Sequence, residues 1–166
     1  HWMPTGRIYG GQAVAQSLLA AQRTVPADRA LHSMHGYFLR PGDTKRGLTL
    51  AVDRIHDGRS FATRRCQAYQ SGEPIWSMIA SFQDEDPGVE HALPMPEGIP
   101  GPEELDPDDQ RGPGLPKEAV ARLTARPVEI RHVESPLWTR PDDGHGTHQH
   151  VWIRMGTRLA DEPHLH

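Results

Sequence analysis

The stretch GGQAVAQSLLAAQR, residues 10–23, sets Val14, Leu18, Ala21 and the following Val25 at i, i+4, i+7 and i+11, with Ala15, Leu19 and Ala20 filling the flanks. That spacing predicts a helix from about Gly10 to Arg23. Because it is apolar nearly all round, this helix is expected to be buried on most sides. Thr24-Val25-Pro26 ends it, since the residue before a proline is disfavoured in helical geometry.

Working outward, strand-like runs follow at about 31–40, 47–56, 60–70 and 74–83, separated by Pro41-Gly42-Asp43, Asp57-Gly58 and Ser71-Gly72. In the third run Phe61, Thr63, Arg65, Gln67 and Tyr69 alternate with Ala62, Cys66 and Ala68, whose small side chains would let a helix approach closely. In the fourth, Trp76, Met78, Ala80 and Phe82 share a face. One apolar helix followed by an antiparallel meander predicts an α+β unit, a curved sheet wrapped around its helix.

Composition changes after Gln83. From Asp84 to Asp109 there are ten acidic residues and no Lys or Arg, and eight prolines lie between Pro87 and Pro116. A stretch of that kind buries too little apolar surface to offset the entropy of ordering it, and it is expected to be a mobile, Pro-stiffened linker. Beyond it, a short helix at Leu115–Thr124 and strands at Arg126–Glu134 and His148–Met155 are expected. Two strands cannot close a core. The expected division is therefore 1–83, a first domain; 84–126, the linker; and 127–166, the opening of a second domain. His1 in place of Met, and an end at His166 with no closing element, suggest a piece of a longer protein.

The 166 residues carry a formal charge of -4, but without the ten linker acids the remainder stands at +6. The folded parts suit a small anionic ligand, while the chain lacks the basic excess of a general nucleic-acid binder. No run of about 18 apolar residues occurs, so no membrane-spanning helix is expected. A single cysteine excludes an intramolecular disulfide framework and a multi-cysteine zinc site, in keeping with a reducing cytoplasm.

Six blocks in order carry a resemblance: YGGQAVAQSLLAA (9–21), HSMHGYFLRPGD (32–43), DGRSFATRRCQA (57–68), PIWSMIASFQ (74–83), RPVEIRHVE (126–134) and VWIR (151–154). Together they resemble the type II acyl-CoA thioesterases, the TesB-like double-hotdog enzymes. The resemblance implies two tandem hotdog domains, of which this chain holds the first, lacking its first strand, and the start of the second. It also implies hydrolysis of fatty acyl-CoA to free acid and CoA by activated water, with no metal or cofactor. The family's Asp, Ser or Thr, and Gln lie in its second domain, the Asp in a Tyr-Ala-Ser-Asp-like stretch, so they are expected beyond His166. The competing class is a non-catalytic hotdog module for acyl binding or oligomerisation. A hotdog hydratase would need an Asp and a His near the helix start, and Gly10 to Leu19 holds neither.

Gly10, Gly11 and Gln12 open the helix. Unpaired N–H groups and the positive end of the dipole there could hold a phosphate or a developing oxyanion; equally, two glycines could simply let the chain turn tightly against a sheet. Arg59 and Arg65, with Arg40, Lys45, Arg46 and Arg64, are candidates for CoA phosphates, against the reading of solvated strand arginines. Arg64 and Arg65 must face opposite ways. His145, His148 and His150 mimic a metal site, but eleven histidines make chance clusters common. His32 and His35 read as packing or hydrogen-bonding residues, and Cys66 as a buried, inert thiol despite its neighbour Arg65. An open sheet face predicts a homo-oligomer, most simply a dimer, with Trp76, Phe82, Trp138 and Trp152 packing against another chain or further polypeptide.

Overall fold

The computed structural model describes residues 6–110, 116–124, 128–136 and 148–161. Two compact units divide the chain, one running through Val89 and the other spanning Glu90–Ala160.

In the first unit, helix α1 (Gly10–Gln22) precedes strands β1 (Ala30–Phe38), β2 (Thr49–Asp57), β3 (Phe61–Gln70) and β4 (Glu73–Gln83). The strands form one antiparallel sheet in the order β1-β4-β3-β2. Ser71 and Gly72, with φ of 51° and 83°, join β3 to β4 through two left-handed residues, the backbone that lets a two-residue turn follow the twist of its strands. This is the α+β arrangement that the helix and meander predict.

α1 crosses β3, with β2 and β4 flanking. Small Ala62, Cys66 and Ala68 on β3 allow the close approach, and Trp76, Met78, Ala80 and Phe82 on β4 complete the core with Ala21. The helix is not buried on most sides. Its seam is Ala13, Ser17 and Ala21, while Ala15 and Gln16 are exposed. A single sheet covers a single face, and the closest approach falls to the smallest side chains; Val14, Leu18 and Val25 pack partly buried against the core.

Two further expectations are corrected. Trp76 and Phe82 do not face a partner: they are 3% and 0% exposed, inside the unit's own core. Arg64 is not a solvated cation: it is 1% exposed, on the helix-facing side between Ala62 and Cys66. Cys66 is wholly buried, and that burial pushes its thiol pKa up, with the Ser17 hydroxyl opposing and the Asp53 charge adding.

In the second unit, strands β5 (Val128–His132) and β6 (Val151–Met155) pair as an antiparallel ribbon, preceded by helix α2 (Lys117–Thr124). The expected starts at Leu115 and Arg126 lie outside the described residues. Within the acidic stretch, residues 84–99 carry neither helix nor strand, whereas Pro102–Glu104 and Asp108–Gln110 form short 3-10 turns. Those turns are bound to the ribbon. Arg131 Nη1 donates to the Pro102 and Leu105 carbonyls, Trp152 Nε1 donates to Pro100 O at 3.0 Å, and buried His132 and Asp108 meet at 2.6 Å. Prolines contribute carbonyls without N–H groups, so side-chain donors on the ribbon take the place of a backbone ladder.

Candidate functional site

The first turn of α1 opens onto a cleft of about 520 Å³ lined by Ile8, Gly10, Phe38, Arg40, Gly42 and Trp76 among others. Tyr9 stands at the N-cap with no side-chain cap bond, and the Gln12 amide turns back to Tyr9 O at 3.0 Å. The Gly10 and Gly11 N–H groups have no hydrogen-bond partner among the described residues. A Cβ on Gly10 would stand 2.9 Å from Phe38 Cζ, so a larger residue would require the exposed Phe38 ring to shift. A close contact and two N–H groups unpaired among the described residues occur together at this helix start.

Trp76 carries an unpaired but buried donor that sequence reasoning missed. Its indole N–H is buried and has no partner among the described residues, although the ring packs on Phe38 at 4.5 Å between centroids. Alternation on β4 marks Trp76 as core, and no sequence signal separates a bonded indole N–H from an open one.

The other candidates lie elsewhere. Arg59 sits exposed in the β2–β3 turn; its carbonyl accepts from Arg29, and its guanidinium has no partner among the described residues. Arg65 faces away from the helix and is bound across the strands to Asp53 Oδ2 at 2.8 Å. Of the five residues singled out from the sequence, only Gly10 lines this cleft; Gly11 and Gln12 follow it in the first turn without lining it, and neither Arg59 nor Arg65 joins them. Arg40 does line it, held by the Pro74 carbonyl at 2.8 Å and by Glu73. Arg46 is bound to Ser71 and Asp43.

Arg64 is a latch. Its Nε and Nη2 donate to Thr24 Oγ1 (2.8 Å) and Thr24 O (2.9 Å), and its Nη1 donates to His56 O and Thr63 O; Asp57 supplies the counter-charge. Thr24 Oγ1 in turn donates to Ala21 O, so a strand arginine closes the C-terminal end of α1.

The histidines play local parts. His32 and His35 are exposed and stack edge-on against Phe61 and Tyr37. His150 meets Glu134 at 2.7 Å, and this imidazole contact, with the His150 backbone N–H, holds the Glu134 carboxyl down to about 2. His145 lies outside the described residues. Among the described residues no three His, Cys, Asp or Glu side chains gather where a metal could sit, and no helix is long and apolar enough to cross a membrane.

A family profile described as the acyl-CoA thioesterase N-terminal domain matches residues 1–83. The chain is 42% identical over 150 residues to human acyl-coenzyme A thioesterase 8, covering 82% of this chain and 47% of that protein. It superposes on the crystal structure of the acyl-CoA thioesterase II TesB2 from Mycobacterium marinum with a TM-score of 0.71 at 38% identity, over 95% of this chain and 54% of the other. A protein of unknown function with a hot dog fold from Alicyclobacillus acidocaldarius gives 0.70 at 15% identity, over 92% and 53%, and carries the fold alone. The chain spans about half the length of the curated relatives it matches.

Proposed function

The chain belongs to the acyl-CoA thioesterases, matching their N-terminal domain over its first 83 residues, and from that premise we propose that it forms the substrate-shaping half of an enzyme hydrolysing fatty acyl-CoA. Water adds to the thioester carbonyl, the carbon–sulfur bond breaks, and the thiolate leaves with a proton as CoA. Catalysis of that addition needs a group that activates water and donors for the oxyanion. No Tyr-Ala-Ser-Asp-like stretch occurs in the 166 residues, so the activating Asp, Ser or Thr, and Gln are assigned to a second domain. The proposed domain division remains 1–83, 84–126 and 127–166, with the later part of the acidic segment serving the β5–β6 ribbon as a bound strap.

The observation that carries this role is the cleft at the start of α1, lined by Ile8, Phe38, Ile75 and Trp76, with the Gly10 N–H beside it unpaired among the described residues. Gly10, Gly11 and Gln12 are the residues we assign to the acyl-thioester end of the substrate. Arg59 is free to meet a CoA phosphate; Arg65 reaches one only by giving up Asp53.

Thiol release from palmitoyl-CoA, read with a chromogenic disulfide, is the test. Residues 1–166 alone are expected to stay at the uncatalysed rate, and the same residues joined to a domain carrying Asp, Ser or Thr, and Gln are expected to turn over. A joined protein that releases nothing overturns the enzyme in favour of a binding module. Turnover by 1–166 alone moves the chemistry to Gly11, Gln12 or His35.

We also propose a cytoplasmic homo-oligomer. β1 is an edge strand among the described residues; Leu31, Met34 and Phe38, which pair with Phe82, Ala80 and Trp76 on the helix-facing side, and Tyr37 on the other face are all exposed beside its unpaired backbone. Trp152 instead bonds within its own unit, and Trp138 lies outside the described residues. Sedimentation at micromolar concentration is expected to show a dimer; a stable monomer of 18.5 kDa would overturn the assembly.

A further inference from the structure

The first 83 residues hold ten basic side chains against five acidic ones, and the surplus is not spread evenly. A second cleft, of about 420 Å³, lies at the C-terminal end of α1, lined by Arg23, Arg29, Arg54, Arg64, Asp57 and the Thr24–Pro26 turn among others. Thirteen helical residues separate this end from Gly10, a span of about 18 Å, so it is a different place from the cleft at the helix start.

Four arginines line it, and the partners of their guanidiniums can be followed one by one. Arg64 is committed to Thr24, His56, Thr63 and the Asp57 carboxylate. Arg29 is held by the Ser60 and Arg59 carbonyls, by Asp84 at 3.3 Å and by Asp28 at 3.9 Å. The guanidiniums of Arg23 and Arg54 have no hydrogen bond and no ion pair among the described residues, although the Arg23 backbone N–H donates to Leu19 O. Arg54 stands directly across the ladder from Arg64, a like-charge pairing that costs stability where nothing intervenes. Two free positive charges thus remain in a concave site whose only lining carboxylate among the described residues, Asp57, is already paired with Arg64. The helix end adds little opposing negative potential, because the backbone N–H groups of Arg23, Thr24 and Val25 and the Thr24 hydroxyl occupy the Leu19, Ala21 and Gln22 carbonyls of its last turn.

We propose that this cleft binds a phosphate monoester dianion, with Arg23 and Arg54 as its principal ligands. Two uncompensated guanidiniums match the two charges of a terminal phosphate, and their forked donors fit its oxygens. The site follows from charge and geometry and does not depend on the hydrolase reading. Two sources offer the same chemistry: the 3′-phosphate of CoA, or a separate phosphorylated small molecule.

The test is calorimetric titration of the whole chain with adenosine 3′,5′-bisphosphate, with adenosine as control. Wild type is expected to bind the bisphosphate, more weakly as salt rises, and to ignore adenosine. Arg23→Gln and Arg54→Gln, both at exposed positions, are each expected to weaken binding about tenfold, a step of about 1.4 kcal/mol, with an unchanged circular dichroism spectrum. A wild type that does not bind, or variants that bind as wild type does, overturn the site. CoA against dephospho-CoA then separates the sources: a preference for CoA identifies its own 3′-phosphate, and equal affinities with retained bisphosphate binding identify a separate ligand. Thiol release does not enter this measurement, so the site and the proposed activity can fail independently.

Discussion

Replacing Arg64 with alanine is expected to cost the first unit about 3 kcal/mol or more of unfolding free energy. The guanidinium is 1% exposed and makes five hydrogen bonds, three of them to the carbonyls of Thr24, His56 and Thr63. Truncation strips those carbonyls of a donor and leaves a hole where the longest side chain of the interior lay. Asp57 is 55% exposed, so water takes over its charge and the ion pair itself supplies only a minor share. Arg64→Lys should recover less than half of the loss, because an ammonium cannot serve Thr24 and the two strand carbonyls from one plane. Urea unfolding followed by tryptophan fluorescence measures both variants. A loss below about 1 kcal/mol for the alanine variant would show that the latch is dispensable.

Trp76→Ala is expected to cost a comparable amount, about 3–5 kcal/mol, since a large ring that is 3% exposed leaves a void between Phe38 and the core. Trp76→Phe should cost under about 1.5 kcal/mol. Phenylalanine gives up ring area, but it also removes a buried N–H that has no partner among the described residues, a group whose desolvation opposes folding by about 1–3 kcal/mol. Packing keeps the ring in place: a Cβ on Gly36 of β1 would stand 2.5 Å from its Cη2. If phenylalanine proves as damaging as alanine, the indole N–H has a structural partner and cannot be an open donor in the cleft.

The helix and four strands were legible because each repeats a short period: the i, i+4, i+7 spacing for α1, and Trp76-Met78-Ala80-Phe82 for β4. Which stripe of α1 would meet the sheet was not legible. Period fixes a helix, but the seam depends on which residues are small enough for closest approach, and Ala13, Ser17 and Ala21 win over Val14 and Leu18 on size. Arg64 was hidden by its type. Alternation with Ala62 and Cys66 placed it inward, yet a charged residue is inward only where acceptors wait, and those come from Thr24 and His56, distant in sequence. The strap at residues 100–110 was hidden likewise, its donors being Arg131 and Trp152 beyond it. At the candidate site, Gly10 and Gly11 were readable as a helix start, whereas the open N–H of Trp76 and the free pair Arg23 and Arg54 depend on what neighbouring groups leave unpaired.

The strand order β1-β4-β3-β2 divides the sheet by distance along the chain. β2, β3 and β4 follow one another through two tight turns, so their ladders close small loops at little entropic cost. β1 pairs only with β4, Ala30 with Gln83 and Phe38 with Trp76, across the whole meander. The loop-closure entropy of the sheet therefore falls mainly on one ladder. The three-stranded meander is topologically self-sufficient, and the strand that bears exposed apolar side chains on both faces is also the one whose attachment is entropically dearest.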